Sequence, residues 1–241
     1  MIRRIGFFHF GSNQKNDPIE SLRTALTAVL EVDDRGSLDD CLLGLPEAFN
    51  LRSGYWDRSR KVDLSISGSL ARLSTEFRIA FVVGLIEQPD TSSPLCSSAY
   101  LIDGSFLHLL SRKMGDDKSS NYSPCIDNWD QTLVHRGICL STLICMDADF
   151  NVRKISNRHE EILSRMRTAG PRQRVLFIPA CMTVYLSEAI VNAWPSDIIT
   201  VLANSTSMQP SIVRLSDNLI HVKSHEKMDN VVCLTTLPSC E

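Results

Sequence analysis

The chain has 241 residues, 43% apolar and 22% charged, with a formal net charge of −3. That is ordinary globular composition, which excludes a disordered or collagen-like chain and is enough for a sizeable core. No Lys/Arg cluster stands out and no apolar run approaches the roughly 20 residues that span a bilayer, so neither nucleic acid nor a membrane is an expected partner.

The N-terminal stretch MIRRIGFFHFGSNQKND begins like a signal peptide. Its apolar run, Ile5 to Phe10, is short and lacks a small-residue cleavage site, so it is expected to be the first strand of a cytoplasmic protein. The eight cysteines, at 41, 96, 125, 139, 145, 181, 233 and 240, form no CxxC pair and predict free thiols. HExxH is absent, and His159-Glu160-Glu161 lacks a second histidine, so no metal site is expected.

Residues 4–10 predict a buried strand. Asp17-Pro18-Ile19-Glu20 opens a helix, with Asp as N-cap, Pro at the first position and Glu placed for a capping box. Ile19, Leu22, Leu26 and Val29 keep one face apolar to about Gly36. CLLGL (41–45) is a second strand ending at Pro46-Glu47. A polar loop and an amphipathic segment (63–76) lead to IAFVVGLIE (79–87), apolar throughout like a strand covered on both faces. SSAYLID (97–103) and SFLHLLSRK (105–113) predict a hairpin turning at Asp103-Gly104.

Residues 114–136 are polar and aperiodic and predict a surface loop. GICLSTLIC (137–145) predicts a strand and 154–168 a helix stopped by Gly170-Pro171. VLFIPAC (175–181), a short helix SEAIVNAW (187–194) before Pro195, and IITVLAN (198–204) come next. SIVRLSD, NLIHVKS and VVCLTTL predict a closing meander. No repeat or linker divides the chain, so residues 1–241 are expected to form one domain, with layered α/β packing.

Three apolar strands end in a reactive side chain: Glu47 after CLLGLP, Lys113 after SFLHLLSR, and Cys145 after GICLSTLI. Singly, each is more often an ordinary core or loop residue. Together, LGLPEAFNLRSGY, AYLIDGSFLHLLSRKMG and GICLSTLICMDADF resemble, in order, the three blocks of the carbon–nitrogen hydrolase (nitrilase) superfamily. The flanking VVGLIE, VLFIPAC and VLANS extend the resemblance over nearly the whole chain.

The resemblance implies an α+β fold, a four-layer α-β-β-α sandwich with a Glu-Lys-Cys site at one end of its sheets. It implies homodimers or larger assemblies and no metal or organic cofactor. Cys145 is the implied nucleophile toward a small amide, carbamoyl compound or nitrile, forming a thioester or thioimidate. Glu47 is the implied base and Lys113 the implied partner of the developing oxyanion, with the backbone N–H of Met146. Lys113 favours the thiolate and Glu47 opposes it. Tyr55, Trp56 and Asn204 are candidate pocket residues, though a loop anchor or a turn cap explains each equally well. Cys181 reads as a buried thiol.

The pattern also departs from the family. The second glutamate usual between the lysine and the cysteine is absent from 114–144, where Asp116, Asp117, Asn121, Asp127 and Asp130 are the residues available for its place. Met146 stands where an aromatic residue is common. Phe150 is followed by Asn151-Val152 rather than Pro-Glu, and Asn192-Ala193-Trp194-Pro195-Ser196 replaces Arg-Ala-x-Glu-Asn. These departures motivate a second reading, a non-catalytic binding or scaffold member, against which the retention of all three reactive residues argues. A papain-like partnership of Cys145 with His9 or His135 lacks a recognisable context. A glutamine amidotransferase would need a glycine-flanked cysteine, which LICMDAD does not provide.

Overall fold

The computed structural model describes residues 1–10, 17–33, 35–51, 65–87, 95–114, 131–149, 156–170, 172–181, 187–205, 210–216, 218–222 and 230–238. Its elements run β1 (Arg4–His9), α1 (Pro18–Val32), β2 (Cys41–Gly44), α2 (Ile66–Phe77), β3 (Ala80–Glu87), β4 (Cys96–Asp103) and β5 (Phe106–Arg112). They continue β6 (Leu133–His135), β7 (Ile138–Thr142), α3 (Ser156–Thr168), β8 (Gln173–Ala180), α4 (Ser187–Ala193), β9 (Ile199–Asn204), β10 (Ser211–Leu215), β11 (Asn218–Val222) and β12 (Val231–Thr236).

Two six-stranded sheets form, ordered β12-β1-β2-β3-β4-β5 and β11-β10-β9-β8-β7-β6. In the first, β1, β2 and β3 are parallel; in the second, β7, β8 and β9 are. All other pairings are antiparallel. Strand periodicity then sorts the side chains. Ile5 and Phe7, Leu42, Ala80 and Val82 point inward and meet Leu140, Val175, Phe177, Val201 and Val213 of the opposite sheet. Phe8, Leu43, Phe81 and Val83 point outward beneath Leu22 and Leu26 of α1 and Leu70, Leu73 and Phe77 of α2. On the far side, Leu176, Ile178 and Leu202 lie beneath Ile162 and Met166 of α3, Ile190 and Val191 of α4, and Trp194 just after it. The expected α-β-β-α order of layers follows.

Local signals act as predicted at several ends. Asp17 Oδ1 accepts from the backbone N–H of Ile19 at 2.8 Å, and Pro18 starts α1. The Glu20 carboxylate lies 3.6 Å from Arg23. Gly104, at φ +58°, and Ser105 turn the hairpin, one residue later than Asp103-Gly104, because Asp103 still pairs with Phe106. Gly170 takes φ +88° after α3.

Three expectations need correction. Residues 133–135 are a strand, β6, inside the stretch read as loop; three residues are too few to display a period, and antiparallel pairing to β7 supplies the order. Regular pairing of β7 stops at Thr142, short of Cys145: Leu143 N–H still donates to Phe177 O at 3.2 Å, and at Cys145 the chain turns away with a left-handed φ of +54° that no strand accommodates. The closing strands are not one meander: β10 and β11 extend the second sheet, whereas β12 crosses over and pairs with β1.

Gly84 of β3 sits where layers and loop crowd. A Cβ there would come within 2.7 Å of the Cα of Glu47 and 2.9 Å of the Cβ of Pro179. Nearby on the inner side, His9 is buried and its Nδ1 is bonded to Ser211 Oγ at 2.9 Å, across the two sheets. Burial pushes the His9 imidazole down from 6.5 to about 4.

Two outcomes are expected. Gly84→Ala should destabilise the fold by about 1–3 kcal/mol in urea titration, since backbone rather than a flexible side chain must give way. His9 is neutral when folded and protonated when unfolded between pH about 4 and 6.5, so stability should fall as pH drops through that window, by about 3 kcal/mol in all. Thermal melts at pH 7 and pH 4 should differ less in His9→Gln than in the parent chain.

Candidate active site

The topology brings the ends of β2, β5 and β7 together. β5 runs in the same direction as β3, being twice reversed from it through β4, so β2, β3 and β5 all end on one side. The Oγ of Ser111, near the end of β5, lies 2.7 Å from the Oγ1 of Thr142, the last residue of β7. Lys113 and Cys145 therefore leave neighbouring strand ends in opposite sheets. Glu47 comes in from β2 between them.

Glu47 is fixed through its backbone. Leu45 N–H donates to Val82 O at 2.7 Å, which carries the chain along β3 past the end of β2. Asn50 then imitates a strand residue: its Nδ2 donates to Ile86 O at 2.7 Å and its Oδ1 accepts from Ile86 N–H at 2.9 Å. Between these anchors Ala48 is held at φ +57°. Glu47 is fully buried, and its Oε1 accepts from Lys113 Nζ at 3.0 Å. Lys113 is 6% exposed. An ion pair this deeply buried is costly to desolvate, so it is weak evidence for stability and stronger evidence for a task.

Cys145 opens a 3-10 turn, Cys145–Ala148, with Met146 next to it. Left-handed geometry in a residue with a Cβ costs about 1–2 kcal/mol and persists only where its surroundings over-determine it. Those surroundings are visible. His159 Nε2 lies 2.6 Å from the carbonyl oxygen of Asp147, and Trp194 Nε1–H donates to Ala148 O at 3.1 Å. His159 and Trp194 also meet edge to face at 5.4 Å. The thiol of Cys145 is buried, and its acidity is set first by that burial, which pushes it up to about 12. Lys113 pulls it down, Glu47 pushes it up, and the backbone N–H of Cys181 pulls it down. Burial and Glu47 thus outweigh Lys113, and their balance favours the protonated thiol.

The other predicted residues fall as follows. Asn204 is buried at the end of β9, level with Ala180, and its backbone N–H donates to Ser211 Oγ at 2.9 Å. Cys181 is buried at the end of β8 against Ala48 and Ile86. Tyr55 and Trp56, and Asp116, Asp117, Asn121, Asp127 and Asp130, lie outside the described residues. His135 pairs with Ile138 at the opposite end of β7 and lies 3.0 Å from Asp103, so the strand that ends near the cysteine begins beside it. Among the described residues, no group of three His, Cys, Asp or Glu side chains is placed to hold a metal ion.

Asn50, Arg158 and His159 are structural partners of the site that the sequence reading missed. Asn50 lies in an unremarkable AFNL stretch. Arg158 and His159 sit in SNRHEEILSRMRT, whose charge density reads as a solvated helix face, yet they are 6% and 0% exposed.

No protein-family model matches the sequence, and no curated protein does. Solved structures do resemble it. An amidase from Nesterenkonia sp. matches with a TM-score of 0.69 over 98% of this chain and 90% of that one, at 17% identity. A cysteine-to-alanine variant of the Nesterenkonia sp. AN1 amidase in complex with butyramide matches at 0.66, over 98% and 91%, at 16% identity. A glutamate-to-glutamine variant showing Michael addition of acrylamide at its active-site cysteine matches at 0.65, over 98% and 93%, at 17% identity. That amidase is placed in the nitrilase superfamily, and the chain therefore has the nitrilase-superfamily fold.

Proposed function

We propose that the chain is a cysteine-dependent hydrolase of non-peptide carbon–nitrogen bonds, with a small amide as substrate. The observation that carries this reading is the meeting of Glu47, Lys113 and Cys145, from three distant parts of the sequence, in one buried electrostatic unit. The amides bound by the structurally similar amidases favour an amide over a nitrile. Asn204 and Tyr55 are assigned to the substrate pocket. A homodimer or larger assembly in the cytoplasm, without metal or organic cofactor, completes the reading.

The electrostatics suit the chemistry. The S–H proton passes to Glu47 as the sulfur attacks the amide carbon, so the negative charge leaves the carboxylate as it builds on the substrate oxygen. Lys113 keeps its positive charge throughout and faces the carboxylate before the transfer and the oxyanion after it. Met146 N–H is the second donor to that oxygen; removing one such donor typically costs about 3 kcal/mol of barrier. The C–N bond then breaks, ammonia leaves with the proton from Glu47, and a thioester remains on Cys145. Glu47 next takes a proton from water, the hydroxide attacks the thioester, and the proton returns to the sulfur as the acid departs.

The test is ammonia release and intact-mass spectrometry with acrylamide, butyramide and related small amides. Parent protein should release ammonia, and Cys145→Ala should abolish both release and adduct. Glu47→Gln should lower kcat by at least about 10²-fold, within the range for a lost general base. No ammonia and no adduct across the panel would favour a scaffold function. Alkylation by iodoacetamide provides a pH test. The rate at Cys145 should still be climbing above pH 10 because the thiol lies near 12. Lys113→Met removes the group that lowers that value, so its rate at any pH below 12 should be slower than the parent's.

A further inference from the structure

Arg158 lies on α3, a helix that supplies none of the three reacting side chains, yet it is 6% exposed and reaches the site from below. Its Nη1 donates to Asp147 Oδ2 at 3.0 Å, and its Nη2 donates to the carbonyl oxygen of Arg112 at 3.0 Å. The same Asp147 Oδ2 accepts from the backbone N–H of Met114 at 2.7 Å. Asp147 is fully buried and sits two residues after Cys145 in the 3-10 turn. The residues immediately before and after Lys113 are thus both tied, through one carboxylate and one guanidinium, to the turn that carries Cys145.

From these contacts we infer that Asp147 and Arg158 are positioning residues, which hold the Lys113 backbone in register with the Cys145 turn. The inference rests on the hydrolase reading for its kinetic consequence only. The planar fork of Arg158 spans the two sheets' strand ends, and a lysine has no second donor fixed in that geometry. Strand pairing gives no such tie at this point: β7 has stopped at Thr142 and β5 at Arg112. Lys113 N–H does donate to Ser97 O at 2.9 Å, which fixes it within its own sheet. The Ser111–Thr142 hydrogen bond joins the two sheets just before β5 and β7 end, and the Asp147–Arg158 pair carries that tie past the strand ends to Lys113 and the Cys145 turn. A displacement of about 1 Å in such a site is enough to cost about 10²-fold in rate.

Removal of one partner strands the other as a buried charge and endangers folding, whereas replacing both with apolar side chains is often neutral or stabilising. The decisive variant is therefore the double one, Asp147→Leu with Arg158→Leu, beside Arg158→Lys. The double variant should keep a melting temperature within a few degrees of the parent while kcat for amide hydrolysis falls about 10²-fold and the Cys145 alkylation profile moves toward that of Lys113→Met. Arg158→Lys should restore part of the loss at most. A folded double variant with parental kcat and an unchanged alkylation profile would overturn the inference. Its crystal structure decides the point apart from turnover. A change of about 1 Å or more in the Lys113–Cys145 Cα separation supports the tie, and an unchanged separation refutes it. A parent protein that turns over no amide would count against the hydrolase reading, and this structural comparison would still judge the tie.

Discussion

The structure depends on two sheets pressed together through a largely apolar inner layer. Ile5, Phe7, Leu42, Val82, Val175, Phe177 and Val201 fill the middle of that layer, and the polar pairs that cross it, His9–Ser211 and Ser111–Thr142, are uncharged. Chemistry is thereby confined to the rim, where strands stop pairing and backbone is free to turn. Glu47, Lys113 and Cys145 all lie just past a strand end, and all three are buried. The packing that forbids charge inside the sandwich also desolvates the charges at its rim. The deep burial of the Lys113–Glu47 pair and the largest part of the weakened acidity of the Cys145 thiol share this origin.

A buried thiol that holds its proton is a poor nucleophile at rest. In the reaction proposed above, no reactive thiolate is stored; a proton acceptor and a fixed cation become useful only as substrate charge develops. Around them the backbone carries local strain at Ala48 and Cys145. Arg158 and His159 of α3 and Trp194, just after α4, hold the second of these in place through the Asp147 carboxylate and the carbonyl oxygens of Asp147 and Ala148.

Much of this was legible in the sequence, for definite reasons. Long apolar runs such as AFVVGLIE and QRVLFIPA carry enough residues to announce strands covered on both faces, and Asp17-Pro18 announces a helix start by capping chemistry. Glu47, Lys113 and Cys145 stood out as candidates because each follows a strand-forming run, and the structure places Lys113 against Glu47. Other features had no local signal. β6 is three residues held by its neighbour, and the end of β7 depends on one left-handed residue within an apolar run that looks continuous. Arg158 and His159 are buried by a tertiary contact on a helix whose composition resembles a solvent face. Asn50 substitutes for a strand residue through its amide, which no periodicity encodes.

The pairing of β12 with β1 bears on how the chain acquires its structure. Arg4 pairs with Thr236 and His9 with Val231, so the first sheet is completed by segments from opposite ends of the sequence. Such a contact has the largest loop-closure cost in the molecule and is slow to form. During synthesis the exposed edge of β1 must wait, unpaired, until β12 leaves the ribosome, while the second sheet can already be assembled from β6 to β11. An open edge of that kind is a template for pairing with another chain. β12 thus closes the first sheet late, and until it pairs the free edge of β1 is open to pairing with another chain.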